Sequence, residues 1–260
     1  MEFPLNTPPD VMCAQAAQNL KRPGPMFTHR APHNEVALIV GGAPSLSDSL
    51  MRLRFHKSRG GHVFALNGAH DYLIGKGIVP DFLVMCDAKQ GNVAFVRKPH
   101  KNVVYVIASQ CHPDVFAALD GYAVVQWVAY VDGINAVVDA TEKPVLVIGG
   151  GGTVMLKTMA LVELSGYRKI QLFGCDSSYH NGDNHAYRQT LNDGESLVTV
   201  EAGEKRFRCA PWMCKQAEDF EDQALQFINS GGTLTVHGYG LIPWIAQQWG
   251  KNGHQYGRSI

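Results

Sequence analysis

Residue types suited to acid–base and phosphate chemistry are concentrated in one stretch of the chain, residues 176–187, named here the polar cluster. It contains Asp176, Tyr179, His180, Asp183, His185 and Tyr187. A histidine can gain or lose a proton near neutral pH, and tyrosine hydroxyls can bind phosphate oxygens. We interpret the cluster as an acid–base site in which His185 or His180 transfers a proton. A divalent metal held by Asp and His, or a solvated hydrophilic loop, are the alternatives.

Two glycine-rich turns each follow an apolar run that is typical of a buried strand. The first glycine turn, residues 41–46, follows residues 36–40, and the second glycine turn, residues 149–153, follows residues 145–148. Glycine after a parallel strand lets the backbone approach a ligand, and the next helix directs free N–H groups at anionic oxygens. The two turns predict a phosphate-bearing ligand, although glycines also simply end strands in α/β proteins. The candidate phosphate-binding residues are Gly41, Gly42, Pro44, Ser45, Gly151, Gly152 and Thr153.

Short apolar runs alternate with helical stretches from residue 35 onward. Continuous Val, Ile and Leu, rather than strict alternation with polar residues, indicates strands that are covered on both faces. The predicted fold is therefore a doubly wound, mostly parallel, Rossmann-like α/β sheet with right-handed crossovers and helices on both faces. The predicted strands are residues 36–40, 63–66, 82–86, 103–108, 123–127, 145–148 and 170–173.

Polar residues follow three of these strands. Asn67 follows residues 63–66, Asp87 follows residues 82–86, and Asp176 comes shortly after the last predicted strand. Doubly wound sheets bind ligands at the carboxyl ends of their strands, so these side chains should converge with the glycine turns. Taken singly, each is explained equally well as a turn or helix-capping residue. The glycine spacing matches neither a dinucleotide fingerprint nor a Walker loop.

Helical periodicity is strongest after the second glycine turn, at residues 154–164, and again at residues 213–228. Residues 177–211 lie between these helices without strong periodicity and are predicted to form a lid or binding loop. Residues 1–33, rich in proline and polar residues, are predicted to form an N-terminal arm. The rest, residues 34–260, is predicted to be one domain.

The amino-acid composition excludes few functional classes and indicates no particular binding partner. Lys plus Arg and Asp plus Glu number 23 each in 260 residues, so no overall charge attracts nucleic acid, although a nucleic acid acceptor is not excluded. No apolar run approaches the ~18 residues that span a bilayer, and no signal pattern is present, so we expect a cytoplasmic protein. Six cysteines without a CxxC pair fit reduced thiols. Three tryptophans are predicted mainly to pack in the core, and a contact in a homo-oligomer is the alternative. They are Trp212, Trp244 and Trp249.

In order and spacing, these motifs resemble the family of 6-hydroxymethylpterin diphosphokinase MptE-like proteins, formerly domain of unknown function 115. That family is similar to motility-associated-factor flagellin glycosyltransferases and to sialyltransferases of the Campylobacter type. The resemblance runs from about residue 36 to residue 245. The matching pieces are residues 42–46, 66–69, 77–82 with Asp87, 151–153 and 166–186.

The resemblance implies a nucleotide held by the first glycine turn and Asn67, a phosphate contacted by residues 151–153, and a loop histidine acting as base. The implied roles fall on Gly42, Ser45, Asn67, Asp87, Gly152, Thr153, Asp176 and His185. Within this set we predict His185, Asp176 and Asp87 to be catalytic. Tyr179 is predicted to bind phosphate.

Residues 184–186, Asn-His-Ala, are closer to the Thr-His-Ala of the flagellin-modifying branch than to the archaeal pterin kinases. The leading hypothesis is therefore transfer of a sugar from a CMP- or UDP-type donor to the hydroxyl of a small-molecule or glycan acceptor. His185 would remove the hydroxyl proton without an essential metal. The alternative is a diphosphokinase in which Asp87 and Asp176 hold Mg²⁺ against ATP and a hydroxymethyl group accepts pyrophosphate. A third reading is a non-catalytic nucleotide-binding module.

Overall fold

The computed structural model of the protein describes residues 7–189 and 194–251. The strands in this part of the chain are β1 (His33–Val40), β2 (His62–Leu66), β3 (Phe82–Met85), β4 (Val104–Ala108), β5 (Val124–Ala129), β6 (Val147–Ile148), β7 (Tyr167–Phe173), β8 (Val198–Ala202), β9 (Lys205–Cys209) and β10 (Thr233–Val236). The α-helices there are α1 (Pro9–Asn19), α2 (Leu46–Ser58), α3 (Ala69–Gly75), α4 (Pro113–Ala118), α5 (Ile134–Asp139), α6 (Val154–Leu164), α7 (Pro211–Asn229) and α8 (Leu241–Lys251).

Eight of these strands form one sheet in the order β10-β7-β1-β2-β3-β4-β5-β6, and every pairing in it is parallel. The chain runs outward from β1 to β6, and α6 then leads back to β7 on the other side of β1. The winding direction therefore reverses between β1 and β7. At such a reversal, loops leave neighbouring strands in opposite directions and open a crevice at their carboxyl ends.

Strand β1 is buried on both faces, as the continuous apolar runs predict. Leu38 and Val40 belong to a core shared with α2 and α3, whereas Ala37 and Ile39 belong to the larger core that includes α6 and α7. All four are 0% exposed. Burial of each large aliphatic side chain contributes ~1.5–3 kcal/mol, so the centre of the sheet is a rigid base for its loops.

The predicted parallel α/β sheet is confirmed, with differences at the ends of elements. β1 begins three residues before the predicted strand, and β6 contains only Val147–Ile148 of the predicted run 145–148. Strand β10 and helix α8 were not among the predicted elements. β10 alternates threonine with two apolar residues, and α8 carries Pro243 in its first turn, where proline is tolerated but obscures the helical pattern.

The predicted lid, residues 177–211, contains the antiparallel hairpin of β8 and β9. Tyr179 N–H donates to Arg208 O at 2.7 Å, so the polar cluster is attached to this hairpin. Within residues 1–33, α1 packs against α4 and α5, and Asn19 Nδ2 donates to the carbonyl oxygens of Ser109 and Cys111 at 2.9 and 2.8 Å. The first described residues are thereby anchored on the sheet.

All six cysteines are free thiols, as predicted. Trp244 and Trp249 are 9% and 5% exposed, which confirms their assignment to the core. Within the described ranges, no helix is both long and apolar enough to cross a membrane.

Candidate functional site

The first glycine turn is shaped by a close approach between the ends of β1 and β7. Gly41 N–H donates to Phe173 O at 2.9 Å, and Ala43 N–H donates to Gly174 O at 3.0 Å. A Cβ on Gly41 would overlap the carbonyl oxygen of Gly174, and a Cβ on Gly174 would overlap that of Gly41. Gly174 also has a φ of +57°, which favours glycine. The predicted phosphate-binding residue Gly41 therefore has a structural requirement of its own.

Ser45, at the start of α2, is fixed by Asp176 from the end of β7. The Ser45 N–H donates to Asp176 Oδ2 at 2.9 Å, and its hydroxyl donates to Oδ1 at 2.5 Å. Both residues are 1% exposed. Burial raises the pKa of the Asp176 carboxyl above its usual range, and the two bonds from Ser45 oppose that shift. This arrangement suits a carboxylate that positions the turn.

The polar cluster lies directly on the first glycine turn. Ala186 N–H donates to Gly42 O at 2.9 Å. A Cβ on Gly42 would stand 2.9 Å from Tyr187 Cζ and 3.0 Å from His185 Cδ2, so only glycine leaves room for both rings. Tyr187 also stacks on Tyr72 of α3, with ring centroids 5.2 Å apart. The structure thus brings the predicted base to the predicted phosphate turn.

His185 is held as a neutral imidazole. Its Nδ1 lies 2.8 Å from Asn184 Oδ1, an acceptor, so we assign the ring hydrogen to Nδ1. Nε2 then carries the lone pair and lies 3.1 Å from Gln189 Nε2, which donates to it. Burial lowers the pKa of His185 below its usual value, and the Glu195 carboxylate partly opposes this. A neutral histidine with an accepting Nε2 is a competent general base.

Tyr179, predicted to bind phosphate, is hydrogen-bonded to Asn184 and Glu195. Its hydroxyl accepts from Asn184 Nδ2 at 3.2 Å and donates to Glu195 Oε2 at 3.4 Å. These residues border a cavity of about 210 Å³ whose lining is largely polar and includes Tyr179, Asn184, His185, Gln189 and Glu195. Tyr179 orients Asn184 and, through it, the imidazole.

Asn67 follows β2 with a φ of +47°, an uncommon conformation for a residue other than glycine. Its N–H donates to Val84 O at 3.3 Å. Its Oδ1 is buried and, among the residues that the structure describes, has no hydrogen-bond partner. A buried orphan acceptor at the carboxyl end of a strand is suited to a ligand donor.

The second glycine turn leaves a strand that is distant from β1 in the sheet. It follows β6, and four strands separate β6 from β1, a span of ~24 Å at the usual strand spacing. Gly151 has a φ of +33°, and a Cβ there would overlap Leu156, so this glycine is needed for the turn into α6. Thr153 is the N-cap of α6, and Gly152 faces open space. The turn leads directly into α6, which packs against β1, β2 and β3.

Asp87 follows β3, and its Oδ1 accepts from Lys89 N–H at 3.2 Å. Two further histidines near strand ends have structural roles. His112 caps α4 by accepting from Asp114 N–H, and His237 is 4% exposed and stacks on Phe173 at 4.3 Å.

The profile of the family described as 6-hydroxymethylpterin diphosphokinase MptE-like matches residues 12–182. The chain belongs to the MptE-like family. The resemblance drawn from the motifs is confirmed. His185 and Tyr187 lie just beyond the matched residues, so the family match covers the two glycine turns, Asn67, Asp87 and Asp176 but not the predicted base.

This MptE-like chain is also similar to a solved structure, the MAf glycosyltransferase from Magnetospirillum magneticum AMB-1. The two share 16% sequence identity with a TM-score of 0.69 over 92% of this chain, which establishes a common fold. The matched region is 38% of the MAf chain, so this chain spans about two fifths of that protein. A search of curated proteins gave no match.

The carboxylates of this MptE-like site fit a shared Mg²⁺ poorly. Asp176 is buried with both oxygens bonded to Ser45, and Asp87 accepts from the backbone of its own loop. In residues 7–189 and 194–251, no group of three or more His, Cys, Asp or Glu side chains could hold a metal ion. A metal in this site would depend on ligand phosphates for most of its coordination.

Lys157, in the first turn of α6, also lies at this edge of the sheet. A lysine on an amphipathic helix is usually exposed, yet Lys157 is partly buried, and burial lowers its pKa. The burial of Lys157 could have been inferred from its position in the first turn of an otherwise apolar helix.

Proposed function

We propose that this protein is a nucleotide-dependent transferase that moves a sugar from a CMP- or UDP-type donor to an acceptor hydroxyl, with His185 as general base. The observation that carries the proposal is the bond from Ala186 N–H to Gly42 O, 2.9 Å long. It places the neutral imidazole of His185 against the turn that follows β1 at the winding reversal of the sheet.

The nucleotide is proposed to lie over the ends of β1 and β2. Asn67 Oδ1 is the buried acceptor there, suited to a ribose hydroxyl or a base N–H. Tyr187 lies between the turns that follow the two strands, since a Cβ on Gly68 would stand 3.0 Å from its hydroxyl oxygen. A ligand phosphate at this point would meet the tyrosine hydroxyl, since the N–H groups of Gly41, Ala43 and Ser45 are already bonded within the protein.

The proposed chemistry is an inverting displacement at the anomeric carbon. The acceptor hydroxyl gives its proton to His185 Nε2, and its oxygen forms a bond to the anomeric carbon. The bond from that carbon to the phosphate oxygen breaks, and the nucleotide leaves with the electron pair. Asn184 Oδ1, bonded to Nδ1–H at 2.8 Å, stabilises the imidazolium that forms.

Transfer of pyrophosphate from ATP to a hydroxymethyl acceptor is the second candidate, because the matched family carries a diphosphokinase description. In this reaction His185 would again accept the proton of the acceptor hydroxyl, and Mg²⁺ would be held by ATP phosphates and Asp87. The poor fit of Asp176 to a metal makes this candidate the weaker one. A nucleotide-binding module without turnover is the remaining alternative.

Thermal-shift titration with CMP, UMP, GMP, AMP, ATP and their sugar conjugates, with and without Mg²⁺, tests the proposal, since a ligand of the folded state raises the midpoint. Stabilisation by CMP or UDP-type ligands without metal, followed by release of free nucleotide from the sugar donor, is the expected result. Stabilisation only by Mg²⁺ with ATP, together with AMP release, would replace it with the diphosphokinase. Binding without turnover would favour the module.

A further inference from the structure

Helix α6 is apolar on almost every side, because the sheet covers one face and α7 packs against another. Its fully buried residues are Met155, Leu156, Thr158, Met159, Leu161 and Val162. The helix carries two charged residues, Lys157 and Glu163. Glu163 lies at the far end of the helix and pairs with Arg168 at 3.6 Å, which leaves Lys157 as the charge to be explained.

Lys157 lies in the first turn of α6, at the carboxyl edge of the sheet. Helix α6 packs against β3, and the Lys157 ammonium lies near the neutral Cys86 thiol that directly follows this strand. Asn67 is attached to the same strand through its N–H bond to Val84 O at 3.3 Å. A cation and an orphan acceptor therefore stand at the carboxyl ends of β2 and β3, beside the proposed nucleotide site.

The ammonium has no counterion in residues 7–189 and 194–251, where no carboxylate lies within ion-pair distance of Lys157 and no acceptor is bonded to its Nζ. Cys86 does not supply one, because burial raises the pKa of its thiol to about 12 and keeps it neutral. Asp87 instead accepts from Lys89 N–H. Partial burial of an unpaired charge costs stability, and burial lowers the pKa of Lys157 accordingly.

We propose that Lys157 binds a phosphate oxygen of the nucleotide ligand at the carboxyl end of β3. This inference rests on the nucleotide-dependent function proposed above and gives its phosphate a specific cationic partner. A ligand anion would supply the missing counterion, and the cost of the unpaired ammonium would be recovered in the complex. Helix α6 thereby connects the second glycine turn to the site, although that turn itself follows the outermost strand.

Replacement of Lys157 by methionine tests the assignment, since methionine preserves the length and apolar stem of lysine without its charge. The full-length Lys157→Met protein is expected to bind the preferred nucleotide about 10- to 100-fold more weakly, the range expected for one charge-assisted hydrogen bond. Binding of the parent nucleoside, which lacks phosphate, should not change. The midpoint of unfolding should stay the same or rise, because an unpaired partly buried charge has been removed. The matched control is Lys169→Met, which removes an exposed lysine of β7 and should alter none of these quantities.

Wild-type nucleotide affinity in Lys157→Met would overturn the inference, as would an equal loss of nucleotide and nucleoside binding. Titration with inorganic pyrophosphate separates this result from failure of the proposed function. If no nucleotide binds but pyrophosphate stabilises the wild type and not Lys157→Met, the anion site stands and the transferase proposal fails. If pyrophosphate stabilises both proteins equally or neither, the assignment of Lys157 is wrong.

Discussion

Ser45 gives both of its hydrogen-bond donors to Asp176, the backbone N–H to Oδ2 at 2.9 Å and the hydroxyl to Oδ1 at 2.5 Å. The pair joins the loops that follow β1 and β7, the two neighbouring strands at which the winding of the sheet reverses. The loop after β10 closes over it, because a Cβ on Gly238 would stand 2.8 Å from Asp176 Oδ1. The shape of the proposed site therefore depends on one buried carboxylate.

Replacement of Asp176 separates a positioning role from a catalytic or metal-binding one. In Asp176→Asn the amide oxygen can accept from Ser45 N–H while the NH₂ group donates to the serine hydroxyl, so we expect a stability change below ~1 kcal/mol and substantial activity. Asp176→Ala leaves the buried Ser45 N–H without an acceptor and should cost ~1–3 kcal/mol. Urea denaturation and turnover measurements on both variants check this. A stable Asp176→Asn protein without turnover would instead assign the negative charge to catalysis or to a metal.

His185 is expected to control the acid limb of the pH–rate profile. Because burial lowers the pKa of this histidine below its usual value of 6.5, the neutral base predominates at pH 7, and kcat/KM should fall only as pH drops below about 6.5. His185→Gln should reduce turnover ~10²- to 10⁴-fold with unchanged nucleotide affinity, and the remaining activity should lose that limb. The control is His112→Gln, which removes a helix-capping histidine and should retain the wild-type profile. Undiminished turnover in His185→Gln would exclude it as the base.

Gly42 should not tolerate even one methyl group. In Gly42→Ala the new Cβ would meet Tyr187 Cζ at 2.9 Å and His185 Cδ2 at 3.0 Å, so the polar cluster must move from the first glycine turn. We expect a loss of ~1–3 kcal/mol and a large loss of turnover. Gly149→Ala is the matched control, because no atom lies within 4 Å of its added Cβ. Similar activity in the two variants would contradict the packing of His185 on this turn.

The sheet was predictable because its buried strands are continuous apolar runs in the sequence. The ends of these runs also located Asn67, Asp87 and Asp176 at strand ends. The packing of Tyr187 between Gly42 and Gly68 was not predictable, because it depends on contacts between segments far apart in sequence. The order of the strands was not predictable either, since the sequence does not specify it, and β6, which precedes the second glycine turn, lies at an edge of the sheet. The partial burial of Lys157 was not predicted either, because a lysine on an amphipathic helix is usually exposed, whereas α6 is covered on more than one face.

The glycines of the second turn should respond differently to alanine. Gly151 has a φ of +33°, and its added Cβ would overlap Leu156, so Gly151→Ala should destabilise the fold by ~1–3 kcal/mol. Gly152 has open space around its added Cβ, and Gly152→Ala should stay within ~0.5 kcal/mol of the wild type. Thermal unfolding of both variants checks the difference. A nucleotide titration of Gly152→Ala then isolates any direct ligand contact, because a loss of affinity without a loss of stability points to that contact.

His237 should make the protein sensitive to acid. It is 4% exposed, Arg52 Nη1 lies 3.1 Å from its Nδ1, and Gln171 Oε1 lies 3.0 Å from its Nε2. Burial first, and then the charges of Arg52 and His56, lower the pKa of His237 from 6.5 to about 4. The unfolded chain therefore binds a proton more readily, so the contribution of His237 is intact above pH 6.5 and is lost progressively as pH falls towards 4. The full loss is about 3 kcal/mol, the equivalent of that pKa difference. Urea denaturation at pH 7.5 and pH 5 should show a smaller difference for His237→Gln than for the wild type, and an equal difference would show that another group is responsible.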